Sequence, residues 1–168
     1  MSKHCGSCSM CCKIPSLTEK DYEGKHLDKS AGTWCDHCTP GKGCGIYEDR
    51  PKVCSTYECV WLQSHTRREG QGLPVELRPD KSKVLIQPTV DGLGLVFRVM
   101  PENWGAWRKG AMNRWIHAVV DSATYLMPIF AISSDEKRRA ALTPAANEMV
   151  EKWDEAEKVG YENQTEEG

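Results

Sequence analysis

The stretch CGSCSMCC spans residues 5–12, and half of its residues are cysteine. The 168-residue chain holds nine cysteines in all, and none follows Cys59. The cysteines therefore define an N-terminal region, residues 1–62, that is poor in large aliphatic side chains. So little apolar area does not offset the entropy that is lost when such a region becomes ordered. We therefore expect something other than an apolar core to hold it together.

Three roles are open to these thiols. A disulfide framework needs an oxidising compartment and usually an even number of cysteines. The N-terminus shows no apolar segment of the secretory type, and the number of cysteines is odd. Thiols that serve only as small buried hydrophobes would be scattered along the chain, not spaced as C-x2-C-x2-C-C. The pattern therefore favours metal ligation, whose binding free energy becomes folding free energy.

The spacing leaves two kinds of metal centre open. The first three cysteines form C-x2-C-x2-C, which is typical of bacterial iron–sulfur ligation. Cys35 and Cys38 form a separate C-x2-C pair, which is typical of structural zinc. Adjacent Cys11 and Cys12 are expected to point in different directions and so to serve two neighbouring centres. Two four-thiolate sites would use all the cysteines but one.

Two segments together resemble the YkgJ-type cysteine-cluster family, whose signature is a C-x2-C-x2-C-C start and a later C-x-I-Y-x-x-R-P-x-x-C. Here they are CGSCSMCC at 5–12 and GCGIYEDRPKVCSTYEC at 43–59. The resemblance implies a cluster of metal-binding cysteines. Those that it implies are Cys5, Cys8, Cys11, Cys12, Cys35, Cys44, Cys54 and Cys59. Cys38 matches the family pattern least, so it is the thiol that we expect to be spare.

Tyr47 and Arg50 lie inside the second segment and are predicted to lie beside the ligands. Arg50 is expected to hydrogen-bond cluster sulfur or nearby carbonyl groups, with an ordinary surface arginine as the alternative. His4 and His37 neighbour cysteines, but a histidine beside a full thiolate set is usually not a ligand.

The rest of the chain predicts a connector and a small folded unit. Residues 63–82 are polar and rich in Gly and Pro, which indicates a connector. Residues 83–160 predict a ββαβα unit, which begins with two strand-like runs around a hairpin signal at Asp91 and Gly92. Pro88 indicates that the first of these strands lies at a sheet edge or ends early.

Apolar residues recur at helical spacing over residues 103–123, and the run TYLMPIFAI at 124–132 predicts a third strand. A last helix is expected from Thr143 to Gly160, and residues 161–168 form an acidic tail. The fold class is therefore α+β, with an irregular, metal-stapled cysteine-rich region packed on a small ββαβα unit.

Composition argues against several classes of function. The formal net charge of −2 lacks the basic excess of a nucleic-acid binder. The most apolar run, residues 124–133, is too short to span a bilayer, and we expect a cytoplasmic protein. No Ser/His/Asp signature, phosphate loop or dinucleotide fingerprint is visible, so catalysis is undecided and the sequence leans against it.

The sequence thus predicts a metal-binding cysteine-cluster protein that carries an iron–sulfur cluster, of the 4Fe–4S type, in a redox or accessory role. The alternative is a protein-interaction module stapled by one or two zinc ions, without catalytic activity, which binds an unidentified protein partner.

Overall fold

The computed structural model describes residues 6–17, 29–67, 72–124 and 126–165, with side chains up to residue 155. Cys5 and His4 lie outside the described residues.

The cysteine-rich region is built from short elements joined by turns. A 3-10 turn at Met10–Cys12 comes first, and the two-residue strands β1 (Cys38–Thr39) and β2 (Gly43–Cys44) pair antiparallel. Two helices follow, α1 at Lys52–Thr56 and α2 at Val60–Thr66. The predicted irregular character of this region agrees with these short elements.

Residues 63–82 were predicted to be a connector, but the described residues 72–82 of this segment belong to the folded body. A 3-10 turn at Val75–Leu77 leads into α3 at Pro79–Ser82. Leu77 is only 2% exposed and lies in the main core. Composition hides this role because the segment is mostly polar, and the prolines that indicate a loop also start helical turns.

The second half contains a four-stranded sheet in the order β3-β4-β5-β6. The strands are β3 (Val84–Pro88), β4 (Leu95–Val99), β5 (Ile129–Ser133) and β6 (Arg139–Ala141). β3 and β4 form the predicted antiparallel hairpin, and β3 is the edge strand that Pro88 indicates. β4 and β5 are parallel, whereas β5 and β6 are antiparallel.

β6 is absent from the sequence prediction, so the unit is ββαββα and not ββαβα. The strand is three residues long, and its sequence, RAA, contains no β-branched or aromatic residue. Such a segment carries no strand signal of its own, because its pairing is set by the neighbouring β5.

The predicted helix over 103–123 is broken into a 3-10 helix at Pro101–Arg108 and α4 at Gly110–Ser122. The break lies at Gly110, whose φ of +54° suits glycine best. It rotates the later turns, so that Met112 and Ile116 are the buried residues of α4.

The last helix, α5, begins at Pro144 as expected but continues past Gly160 to Thr165. No helix among the described residues is both long and apolar enough to cross a membrane.

The two halves of the chain share one buried core, so the cysteine-rich region packs on the α+β unit as predicted. From the cysteine-rich region this core takes Ile14, Cys59, Trp61 and Leu62, which pack with residues of β3, β4 and β5. A smaller cluster on the opposite face of the sheet joins it to α5. The α+β class is confirmed.

Candidate metal centre

Five thiols surround one cavity at the side of the cysteine-rich region. The cavity has a volume of about 130 Å³, and its wall includes the apolar side chains of Leu17, Ile46 and Val53. The cysteines that line it are Cys11, Cys12, Cys35, Cys44 and Cys54. The 3-10 turn, the β1–β2 hairpin and α1 all contribute thiols, so segments far apart in sequence meet here.

Main-chain hydrogen bonds join these segments from cysteine to cysteine. The Cys35 N–H donates to the carbonyl oxygen of Cys12 at 2.9 Å, and the Cys38 N–H donates to that of Cys35 at 2.9 Å. The β1–β2 register then places Cys38 opposite Cys44. These backbone contacts bring the cysteine-bearing segments close together.

Cys38, the thiol expected to be spare, lies within this group. Its side chain hydrogen-bonds the thiol of Cys12. Burial, together with the negative charge that neighbouring thiolates would carry, raises the pKa of Cys38 to about 12. Six of the described cysteines thus form one group, which we call the six-thiol group: Cys11, Cys12, Cys35, Cys38, Cys44 and Cys54.

Cys11 and Cys12 face the same cavity, contrary to the expectation that these adjacent residues diverge. A hydrogen bond that the Cys12 thiol donates to the Cys11 side chain, followed by burial, raises the pKa of the Cys12 thiol. The chain turns here because Met10–Cys12 adopts a 3-10 conformation.

Cys8 and Cys59 form a separate pair. Burial is the main cause that raises the pKa of each, and Cys59 is 8% exposed. A charge on Cys8 raises the pKa of Cys59. Arg78 and Asp80, which are joined by two hydrogen bonds of 2.6 and 2.8 Å, lie close to Cys8.

The described thiols lie near one another, but they are not arranged as the complete ligand shell of one ion. Within residues 6–17, 29–67, 72–124 and 126–165, no three Cys, His, Asp or Glu side chains converge as ligands of one ion. Within the six-thiol group, the pKa is raised for Cys12, Cys35 and Cys38, so these thiols must lose a proton to become ligands. Binding a metal would therefore draw the thiolates together and release protons.

A buried lysine that the sequence prediction missed lies beside the six-thiol group. Lys29 is 6% exposed, and its ammonium donates to the carbonyl oxygens of Lys13 at 3.0 Å, Thr33 at 3.1 Å and Pro15. Burial lowers its pKa, while nearby thiolates, Cys35 first among them, act in the opposite direction. Lys29 therefore joins the segment at residues 13–15 to that at residues 29–33 and brings positive charge to the thiols.

We expect Lys29→Met to destabilise this region by about 2–3 kcal/mol, because it leaves buried carbonyl groups without their charged donor. Amide hydrogen exchange at Gly32 and Cys35, whose N–H groups bond to neighbouring loop carbonyls, reports the loss. Lys42→Met is the matched control, since Lys42 is exposed between β1 and β2. Equal exchange in the two variants would contradict a structural role for Lys29.

Tyr47 and Arg50 line the thiol cavity, where the sequence places them. The Arg50 guanidinium carbon lies 3.7 Å from the centroid of the Tyr47 ring, which is a cation–π contact. Arg50 Nε is buried and has no hydrogen-bond partner among the described residues. His37 also lines the cavity, and its side chain is exposed.

Comparisons with models of protein families, with curated proteins and with solved structures find no match to this chain. The resemblance of the two cysteine segments to the YkgJ-type family stays a prediction.

Proposed function

We propose that this chain is a metal-binding cysteine-cluster protein whose thiols hold an iron–sulfur cluster in a redox or accessory role. The observation that carries the proposal is the gathering of five thiols around one cavity of about 130 Å³, with Cys38 in contact with them. Among the described residues, no disulfide joins two cysteines, so their sulfurs can serve as donors. A soft, all-sulfur donor set selects zinc, copper(I) or an iron–sulfur cluster over hard cations.

The surroundings of the thiols fit a negatively charged thiolate centre. Lys29 places an ammonium within the electrostatic reach of Cys11, Cys12, Cys35 and Cys54. An ammonium here offsets part of the charge that deprotonated thiols bring. The Nε of Arg50 supplies a buried donor on the cavity side. Hydrogen bonds and charges of this kind tune thiolate-bound metals.

The residues around the thiol cavity have different roles in this proposal. The cavity thiols hold the group, Arg50 and Lys29 balance its charge, and the apolar wall of Leu17, Ile46 and Val53 limits the access of water. When bound, an iron–sulfur cluster supplies one-electron transfer. We assign no catalytic residue.

A zinc-stapled interaction module is the second candidate, and a specific observation favours it. Within the six-thiol group, Cys12, Cys35, Cys38 and Cys44 influence one another electrostatically, and two of them belong to the β1–β2 hairpin. Four cysteine thiolates are a common ligand set of structural zinc. In this case the centre staples the fold, and an unidentified protein partner binds elsewhere on the surface.

Purification without oxygen separates the two candidates. We expect brown protein that absorbs broadly near ~400 nm and contains iron with acid-labile sulfide, as thiolate-bound clusters do. Colourless protein with one or two zinc ions and no sulfide would replace the first candidate with the second. Protein that binds neither metal would overturn both.

A further inference from the structure

The sheet face that α5 packs against carries an open cleft far larger than the thiol cavity. Directly opposed residues of neighbouring strands share a face, which here places Val96, Arg98, Phe130 and Ile132 together. Helix α5 packs over β5 and β6, where the ring of Trp153 lies 5.2 Å from that of Phe130. The described residues leave the β3–β4 side of this face uncovered, and this side bounds a cleft of about 680 Å³.

The floor of the cleft is apolar and already well packed beneath. Val96, Phe130 and Ile132 are 6%, 3% and 5% exposed, and Met149 and Trp153 of α5 form one wall. Ligand sites in proteins have volumes of ≈ 300–1,000 Å³ with mostly apolar walls and a few placed polar groups. The cleft has the size of a site for a small organic molecule.

In the two ion pairs around the cleft, the arginine is the more buried partner and the acid is the more exposed one. Arg98 and Arg139 are 22% and 10% exposed, whereas their acidic partners Glu136 and Asp154 are 57% and 54% exposed. The two ion pairs measure 3.3 and 3.0 Å. Exposed acids hold such pairs only weakly, because water and salt screen them.

The remaining acid of the cleft, Asp91, is already engaged in the β3–β4 turn. Its carboxylate accepts from the Thr89 hydroxyl at 2.5 Å and from the Leu93 N–H at 3.0 Å. These bonds hold the pKa of the exposed Asp91 below its ordinary value. Asp91 is therefore ionised but held within the turn, and the partly buried cation that the strand register places on this face is the guanidinium of Arg98.

We infer that this cleft binds a small organic carboxylate with an aromatic or branched aliphatic body. The carboxylate pairs with Arg98 in place of Glu136, and a guanidinium matches a carboxylate with two parallel hydrogen bonds. The body lies on Val96, Phe130 and Ile132 against the ring of Trp153.

The cleft is a neighbour of the thiol cavity but does not depend on it. Gln87 lines the cleft, and its side-chain oxygen accepts a hydrogen bond of 3.5 Å from the hydroxyl of Tyr57, which lines the thiol cavity. No residue that carries the inference is a cysteine, so it stands whether the thiols bind iron–sulfur, zinc or nothing.

Titration of the full chain with 4-phenylbutyrate and with its uncharged amide, 4-phenylbutyramide, tests the inference. The shift of the Trp153 indole N–H signal reports occupancy and gives the Kd. We expect the carboxylate to bind about tenfold more tightly than the amide, because a charge-assisted pair with Arg98 is lost in the amide. Equal affinities, or no shift of the Trp153 signal with either compound, would overturn the inference.

Three variants complete the test. Arg98→Gln should weaken binding of 4-phenylbutyrate about tenfold. Arg108→Gln, a change at an exposed arginine that stacks on Trp107 outside the cleft, should leave it unchanged. Glu136→Gln should tighten binding about two- to fivefold, because it removes the exposed acid that competes for Arg98. A misfolded variant does not gain affinity, so failure of Glu136→Gln to tighten binding, or an unchanged Arg98→Gln, counts against the inference.

Discussion

Stripping bound metal with a chelator is expected to unfold the cysteine-rich segments of the chain up to Thr56 while the four-stranded sheet persists. Among the described residues before Lys52, Ile14 is the only buried hydrophobic side chain. Burying one such side chain contributes about 1.5–3 kcal/mol, whereas ordering each residue costs about 1–2 kcal/mol. A structural metal supplies on the order of 10 kcal/mol or more, so its removal leaves these segments without sufficient stabilisation.

Hydrogen exchange followed peptide by peptide is the measurement. Protection should be lost at the Cys35 and Gly45 amides, which bond to the carbonyl oxygens of Cys12 and His37. Residues 84–99 are the internal control, because β3 and β4 belong to a core that contains no cysteine except Cys59. Protection in the segments up to Thr56 that does not change with chelator would show that metal does not hold them.

Replacing a thiol of the six-thiol group is the second large effect that we expect. Loss of a residue that only hydrogen-bonds a metal ligand weakens metal binding by about 10–100-fold. Cys12→Ser and Cys54→Ser each remove a ligand itself, so we expect each to weaken metal binding at least as much. Ser55→Ala is the matched control for Cys54→Ser, since Ser55 is the exposed neighbour in the same helix α1. Metal content per chain after dialysis against a competing chelator is the measurement.

Cys38→Ser decides between the sequence pattern and the structure. The family pattern matches Cys38 least and predicts a small loss of metal. The structure places the Cys38 thiol against that of Cys12, and we therefore expect a loss as large as that of Cys12→Ser. Full metal content in Cys38→Ser would restore Cys38 as the spare thiol.

The parts of the fold that the sequence predicted are those with a local signal. Alternation along β4 placed Leu95, Phe97 and Val99 on one face and Arg98 on the other, and the strand register agrees. Pro88 marked the edge strand because proline has no N–H to donate to a neighbouring strand.

The parts that it missed depend on contacts between distant segments. Lys29 is buried because carbonyl groups of Lys13, Pro15 and Thr33 meet around its ammonium, and no local pattern marks that meeting. β6 exists because β5 offers it a partner, not because its own residues favour a strand.

The sequence predicted which cysteines belong to the candidate site better than it predicted how they are arranged in space. Spacing alone grouped the cysteines, but it did not indicate that Cys8 and Cys59 separate from the others. That separation follows from tertiary packing, since Cys59 belongs to the main core while the six-thiol group lies around its own cavity. Side-chain direction at adjacent Cys11 and Cys12 likewise depends on the 3-10 turn that they form.

X-ray absorption at the metal edge of protein isolated without oxygen tests most directly whether the thiols of the six-thiol group bind the metal. We predict a first coordination shell of sulfur alone, which for zinc lies near ~2.3 Å from the metal. For an iron–sulfur cluster, a second shell of iron accompanies it, and Cys12→Ser diminishes the signal. A first shell made of oxygen and nitrogen, or a sulfur shell that Cys12→Ser, Cys35→Ser and Cys54→Ser all leave unchanged, would contradict metal binding by these thiols.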